Sequence, residues 1–260
     1  MIADLRLVLI TFELDLKQQA VDLFMIFGVL IQPLLIAIMA IYMLLERDPS
    51  RGIYVVVGSG MTGLWTSLLF RGTFNINAER FMGTLEGIVA SPSSLATVVI
   101  GKTLASVTLS LLSMIFSYGL ASVIFHFPLH IAQPGPFFVS LLVTVLAFIS
   151  FGLLISPLMA VNLSLSGWVN ALEYPMYILG GFLFPILLLP DWSTPLSYVL
   201  APYWAARALH ATSSGAATPS DLLLSWSMML ILSGCYMVAS YRLFRIVLHR
   251  ARVDATLSLM

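Results

Sequence analysis

Residues 137–160 read FFVSLLVTVLAFISFGLLISPLMA, and no charged side chain interrupts the run. At 1.5 Å per residue, an α-helix of this length reaches about 36 Å and crosses a hydrocarbon core of about 30 Å. The run is continuous, unlike the ~10-residue alternating segments of an outer-membrane barrel. The rest of the chain has the same character. Hydrophobic residues make up 60% of the 260 and charged residues 9%, and the mean hydropathy is +1.00. A water-soluble domain of this size needs far more charge to cover its surface. These side chains suit a bilayer, where each backbone amide must be satisfied within a helix or a closed barrel. The chain is expected to be an all-α, polytopic membrane protein.

Outward from this run, five more apolar stretches lie at 23–44, 53–74, 98–125, 168–189 and 222–244. Six spans leave nothing of domain size outside the membrane, so 1–260 is expected to be one transmembrane domain. Twelve acidic and twelve basic residues cancel, which gives no hint of nucleic acid. Cys235, the single cysteine, cannot form an internal disulfide; it is expected to be a small buried apolar residue. Asp4, Glu13, Asp15 and Asp22 break any signal-peptide pattern at the amino terminus.

The basic residues choose a side. With six crossings, Arg6, Lys17, Arg71, Arg80, Lys102, Arg242, Arg245, Arg250 and Arg252 share one side, and Arg47, Arg51 and Arg207 the other. Lys and Arg favour the cytoplasm, so both termini are expected there. Outer loops then fall at 46–52, 126–136 and 190–221. Inner segments are the amino-terminal arm, 75–101, a short turn at 162–166 and the carboxyl tail.

One inner segment is distinctive. Residues 75–94 read NINAERFMGTLEGIVASPSS. On a helical wheel, Phe81, Met82, Leu85, Ile88 and Val89 share one arc, and Glu79, Arg80, Gly83, Thr84, Glu86, Gly87 and Ala90 the other. Pro92 would end that helix. The apolar arc suits the membrane interface. The other arc sets small residues among three charges, which fits either a docking face for a soluble partner or a solvated interfacial helix.

Two nucleotide-like patterns are set aside. Gly58, Gly60 and Gly63 in YVVVGSGMTG match GxGxxG, but that fingerprint requires a strand, a turn and a helix in a soluble sandwich. Here the flanks continue apolar, and close packing between transmembrane helices is the expected role. Gly101-Lys102-Thr103 resembles the end of a P-loop, yet Ala96 stands where the first glycine belongs; Lys102 is expected to snorkel. His126 and His130 are separated by Pro128 and lack further ligands nearby in sequence, so no metal site is expected there. No nucleophile–base arrangement stands out, so no catalytic residue is assigned.

Within the spans, Glu173 lies about nine residues into the fifth run, with Asn170 one turn before it. An ionisable group at that depth is either functional or a protonated acid bonded to a neighbouring helix. Thr62, Thr66 and Ser67 are weaker candidates, because such hydroxyls often bond their own helix. Pro175, Gly180-Gly181 and Pro185 disrupt this span, and broken helices at membrane depth line a cavity or are buried in protein. The following stretch, rich in Pro, Trp and Tyr, is expected to form short helices dipping into the outer leaflet at 185–220.

These features together resemble the membrane subunits of type-2 ATP-binding-cassette exporters, which include bacterial drug, antibiotic and polysaccharide permeases. The matching residues are Glu79-Arg80, Gly83-Thr84-Leu85-Glu86, Ser91-Pro92 and Gly101-Lys102. A second match is Gly180-Gly181-Phe182-Leu183-Phe184-Pro185 with Leu189-Pro190 and Pro202. The resemblance implies two permease subunits, identical or homologous, and two copies of a soluble ATPase that carries the ATP and magnesium; the chain itself would bind no cofactor. It implies that 1–21 is an interfacial connecting helix, with Leu5, Val8, Leu9, Phe12 and Leu16 as its apolar stripe and Glu13 paired to Lys17. It makes 75–94 the coupling helix, with Glu79, Arg80, Gly83, Thr84, Glu86 and Gly87 as coupling residues. Spans two and five would line the path, through Thr62, Thr66, Asn170 and Glu173. The expected function is export of an amphipathic or lipid-like cargo (drug, antibiotic or glycolipid class) across the bacterial inner membrane. Rival readings are an ion-driven carrier using Glu173 and a membrane enzyme using the glycine-rich span.

Overall fold

Apolar runs become helices here because lipid offers the backbone no other hydrogen-bond partner. The computed structural model describes residues 2–21, 23, 27, 31–45, 52–81, 83, 95–125, 131–161 and 166–253. Among them there is no strand. The α-helices are α1 (Ile2–Val21), α2 (Gln32–Leu45), α3 (Gly52–Phe81), α4 (Leu95–Phe125), α5 (Pro134–Val161), α6 (Ser166–Leu179), α7 (Thr194–Val199), α8 (Ala201–Ser214) and α9 (Pro219–Val253). Two 3₁₀ turns, Ile186–Leu188 and Asp191–Ser193, separate α6 from α7. Two described helical stretches are long and apolar enough to cross a bilayer, Pro134–Ile155 and Pro219–Leu243. Ile53–Leu69 and Ile100–Phe116 are shorter apolar stretches.

α5 and α9 carry large apolar residues on the outward face and place hydroxyls among the apolar residues of the inward face. On α9, Ser225, Met229, Ser233 and Ser240 are buried, while Leu223, Leu230, Ile231 and Val238 face outward. On α5, Ser140, Thr144 and Ser150 are buried and Phe138, Val139, Leu142 and Leu146 are exposed. Water would disfavour so apolar an outward face. In lipid, helices instead associate through small residues and hydroxyl bonds. The contacts between these two helices are of that kind: Trp226 Nε1 donates to Ser140 Oγ at 2.9 Å and Ser240 Oγ to the Leu153 carbonyl at 2.6 Å.

α3 is the central element. Residues 55–69 are buried on every face, enclosed by α2, α4, α5, α6 and α8. The glycine pattern supplies the close approach. A Cβ on Gly60 would meet Met114 Cγ at 2.7 Å, and one on Gly58 would meet the Phe182 carbonyl oxygen at 1.9 Å. GxGxxG is thus a packing pattern inside a continuous helix.

Local stops follow ordinary capping rules. Thr218 Oγ1 accepts from the Asp221 amide at 3.2 Å and donates to the Asp221 carboxylate at 2.5 Å, with Pro219 opening α9; this is a threonine N-cap followed by proline at the first helical position. Gly215, at φ 79°, ends α8 in the left-handed region. The Ser213 and Thr212 carbonyls there accept from the Ala132 and Gln133 amides, both at 3.1 Å.

Four expectations are corrected. The second span does not end before a separate helix at Asn75: α3 continues to Phe81, because outside lipid a helix needs no apolar run to persist. The helix expected over 75–94 is interrupted at Gly83, whose φ is 68°, a value incompatible with a helix interior. The fifth span does not reach residue 189: α6 stops at Leu179 after 14 residues, about 21 Å of helix. Cys235 faces outward on α9 rather than inward.

In the amino-terminal helix Glu13 and Lys17 pair as expected, at 2.6 Å. The face on α4 runs through Val8, Thr11, Asp15 and Gln19, so of the apolar stripe it takes in Val8, while Phe12 and Leu16 are half-buried. A Cβ on Gly101 would meet Thr11 Oγ1 at 1.9 Å. Asp15 and Gln19 are buried and bonded to each other, and Gln19 Nε2 reaches Ser106 Oγ at 3.4 Å. Leu5 and Leu9 are exposed.

Candidate functional site

The sequence-predicted path residues converge in part. Glu173 is 4% exposed, on the turn of α6 that faces α3. Its Oε1 receives Thr66 Oγ1 from α3 at 2.6 Å, Tyr177 OH from the next turn of α6 at 2.5 Å, and Gln32 Nε2 from the start of α2 at 3.4 Å. Thr66 Oγ1 and Tyr177 OH are themselves 2.5 Å apart. One carboxyl oxygen therefore ties three helices together. Such convergence is what a buried acid needs, because removing a carboxylate from water without donors is strongly unfavourable.

Thr66 is the pivot of this cluster. It has one hydroxyl proton and three acceptors within reach: Glu173, Tyr177 and its own helix through the Thr62 carbonyl at 2.9 Å. It bonds its own backbone, as expected of a membrane threonine, and also reaches across to α6. Thr62 does not join: its hydroxyl donates to the Ser59 carbonyl at 2.7 Å. Ser67 lies away from Glu173, with the Ser106 carbonyl at 3.5 Å. Asn170 is one turn before Glu173 on α6, and its side chain lies outside the described residues.

Two of the partners of Glu173 carry signals readable in the sequence. Tyr177 stands four residues after Glu173, the spacing at which helix side chains meet. Gln32 is a polar residue in the middle of the first apolar run.

About 12 Å along α3 from Thr66, at 1.5 Å per residue, lies a second junction with the same broken helix. α6 ends in a Schellman motif: the Phe182 amide donates to the Tyr177 carbonyl at 3.2 Å and the Gly181 amide to the Ile178 carbonyl at 3.1 Å. Gly181 takes φ 68°, which a side chain would strain. The Phe182 and Tyr177 rings, 5.8 Å apart, supply the apolar contact that accompanies this motif. The break leaves carbonyls that need donors. Tyr54 OH donates to the Gly181 carbonyl at 3.2 Å, and His210 Nε2 to the Phe182 carbonyl at 2.9 Å. Tyr54 and His210 stack at 3.5 Å with their planes 8° apart.

This geometry assigns the histidine tautomer. Nε2 carries the proton, and the buried Nδ1 has no hydrogen-bond partner among the described residues. Burial holds the imidazole well below its usual range, at about 3, so the ring is neutral at physiological pH. Neither Tyr54 nor His210 was predicted as a site residue.

Of the coupling residues, Glu79 and Arg80 lie in the last turn of α3, with side chains outside the described residues, and Gly83 is exposed in the turn beyond. Thr84, Glu86 and Gly87 lie outside the described residues, as do His126 and His130. The family model described as ABC-2 family transporter protein matches residues 40–242. That match takes in α3 to α8 whole, the Phe182 junction, Thr66, Glu173 and Tyr177 of the other junction, and all six coupling residues. No curated protein matches the chain.

Proposed function

This chain belongs to the ABC-2 family of transporters, and from that premise we propose that it is half of the membrane pathway of an ATP-driven exporter in the bacterial inner membrane. A second permease subunit, identical or homologous, completes the path. Two soluble ATPase subunits bind and hydrolyse ATP with magnesium, and this chain contributes no catalytic residue. In the six-span reading, 1–260 is one domain with both termini cytoplasmic. Residues 1–21 rest at the inner interface, 75–94 meet the ATPase, and 185–220 re-enter the outer leaflet. The cargo is amphipathic or lipid-like, and passes Thr62, Thr66, Asn170 and Glu173.

The observation that carries this reading is the unbroken length of α3. Its 30 residues from Gly52 to Phe81 make a rod of about 45 Å, longer than the hydrocarbon core. One end holds Glu79 and Arg80, next to the turn at Gly83. Further along, Thr66 holds the Glu173 cluster. A push from an ATPase on the Glu79 end therefore need cross no flexible joint before it reaches α6. ATP shifts the conformational balance only if one arrangement of α3 against α6 binds the closed ATPase pair better.

The test is co-purification of the ATPase with the permease, followed by reconstitution. The paired change Glu79→Ala with Glu86→Ala is expected to abolish assembly or coupled transport. Intact assembly and transport in that variant would overturn the coupling assignment. Transport that persists without ATP and collapses with the proton gradient would point to an ion-driven carrier using Glu173.

A further inference from the structure

The break after α6 is a gap in the helical hydrogen-bond ladder, and the chain closes it from two sides. Tyr54, near the start of α3, donates to the Gly181 carbonyl. His210, in α8, donates to the Phe182 carbonyl. The two rings stack on each other, so neither donor moves alone. Gly58 lets α3 approach, since any Cβ there falls 1.9 Å from the Phe182 carbonyl oxygen. Phe182 is fully buried, with its ring on Phe148 and Tyr177. Several buried hydroxyls bond only along their own helix, as Ser59, Thr62 and Ser110 do. At this point the donors come from two different elements and reach carbonyls 127 and 28 residues away in sequence.

We infer that Tyr54 and His210 are positioning residues for transport: they clamp the Gly181–Phe182 break between α3 and α8, so that a displacement of α3 is delivered to the outer helices. The inference rests on the ATP-driven reading for the source of the displacement, but the clamp itself does not. A neutral histidine is well chosen for this task. It offers one N–H to a carbonyl and brings no charge into a buried place. Its flat face accepts the Tyr54 ring, which couples the two donors mechanically.

The chemistry predicts a pair of variants that a purely packing role would rank in the opposite order. His210→Phe keeps an aromatic face for Tyr54 and loses the donor. His210→Gln loses the aromatic face and keeps an N–H donor. With Cys235 replaced by Ser, spin labels at the exposed Leu187 and Ile231 report the outer turn against α9 in the permease–ATPase complex in nanodiscs. The parent and His210→Gln are expected to show the same change in distance on adding ATP and vanadate. In His210→Phe that change should fall at least threefold while ATP hydrolysis stays within about twofold. An equal change in Phe and Gln variants overturns the clamp. Should ATP move nothing even in the parent, the engine reading fails, and the nucleotide-free distance distributions decide the clamp: broader in Phe than in Gln supports it, equal widths refute it. If His210→Phe does not assemble, Tyr54→Phe removes one hydroxyl and nothing else, and the same two distance readouts decide.

Discussion

The two junctions between α3 and the broken helix α6 are built on opposite principles. The Glu173 junction is made of side chains meeting side chains: a carboxyl, two hydroxyls and an amide. The Phe182 junction is made of side chains meeting backbone, with a glycine to let the backbone in. The first can rearrange without moving any helix, because Thr66 holds a second acceptor on its own strand of carbonyls. The second cannot, because Gly58 and the Phe182 carbonyl are already in contact. One fastening is adjustable and the other fixed.

The comparison is broken most severely at Gly58. Gly58→Ala is expected to prevent stable folding, since the new methyl meets backbone rather than a movable side chain, and recovery of monodisperse protein checks it. Gly60→Ala is the control. Its methyl meets the flexible Met114 side chain, so destabilisation of about 1 kcal/mol or less is expected. Equal damage at both positions would remove the contrast.

Next in size is Glu173→Leu, which strands the Thr66, Tyr177 and Gln32 donors. We expect roughly 2–4 kcal/mol of lost stability by thermal melting, against about half of that for Glu173→Gln, which keeps the shape and an acceptor. Smaller still, Thr66→Val and Tyr177→Phe should each remove about 1 kcal/mol. Their double variant should fall short of additivity, because the two hydroxyls share one acceptor. Strict additivity would mean that the cluster is not a unit. At the bottom of the scale, Lys17→Ala breaks a solvent-exposed pair with Glu13 and should leave the melting temperature unchanged.

The membrane setting, the helical class, the family, the α6 disruption and the depth of Glu173 were all legible in the sequence, because each depends on composition or on neighbours along the chain. The reading of the Gly58 pattern as packing also holds. The atom that Gly58 packs against was not legible, and neither were the roles of Tyr54 and His210, since these pairings join positions far apart in sequence. The polar tail of α3 through Asn75 and Asn77 read as the start of a separate helix for a physical reason: the apolar run that marks the span ends before it, while the backbone helix does not. The contact of the amino-terminal helix with α4 was not legible either: it uses Thr11, Asp15 and Gln19, the small and polar side chains that transmembrane helices use to approach closely.

The outward-facing Cys235 has a practical consequence. It is the sole thiol of the chain and sits among the apolar residues that α9 turns away from the protein. A membrane-permeant, environment-sensitive dye attached there needs no engineered attachment point, and its emission would report how deep that face lies in the acyl layer. Water-soluble maleimides should reach the thiol in denaturant and be shut out in intact vesicles, turning one incidental sulfur into a gauge of immersion.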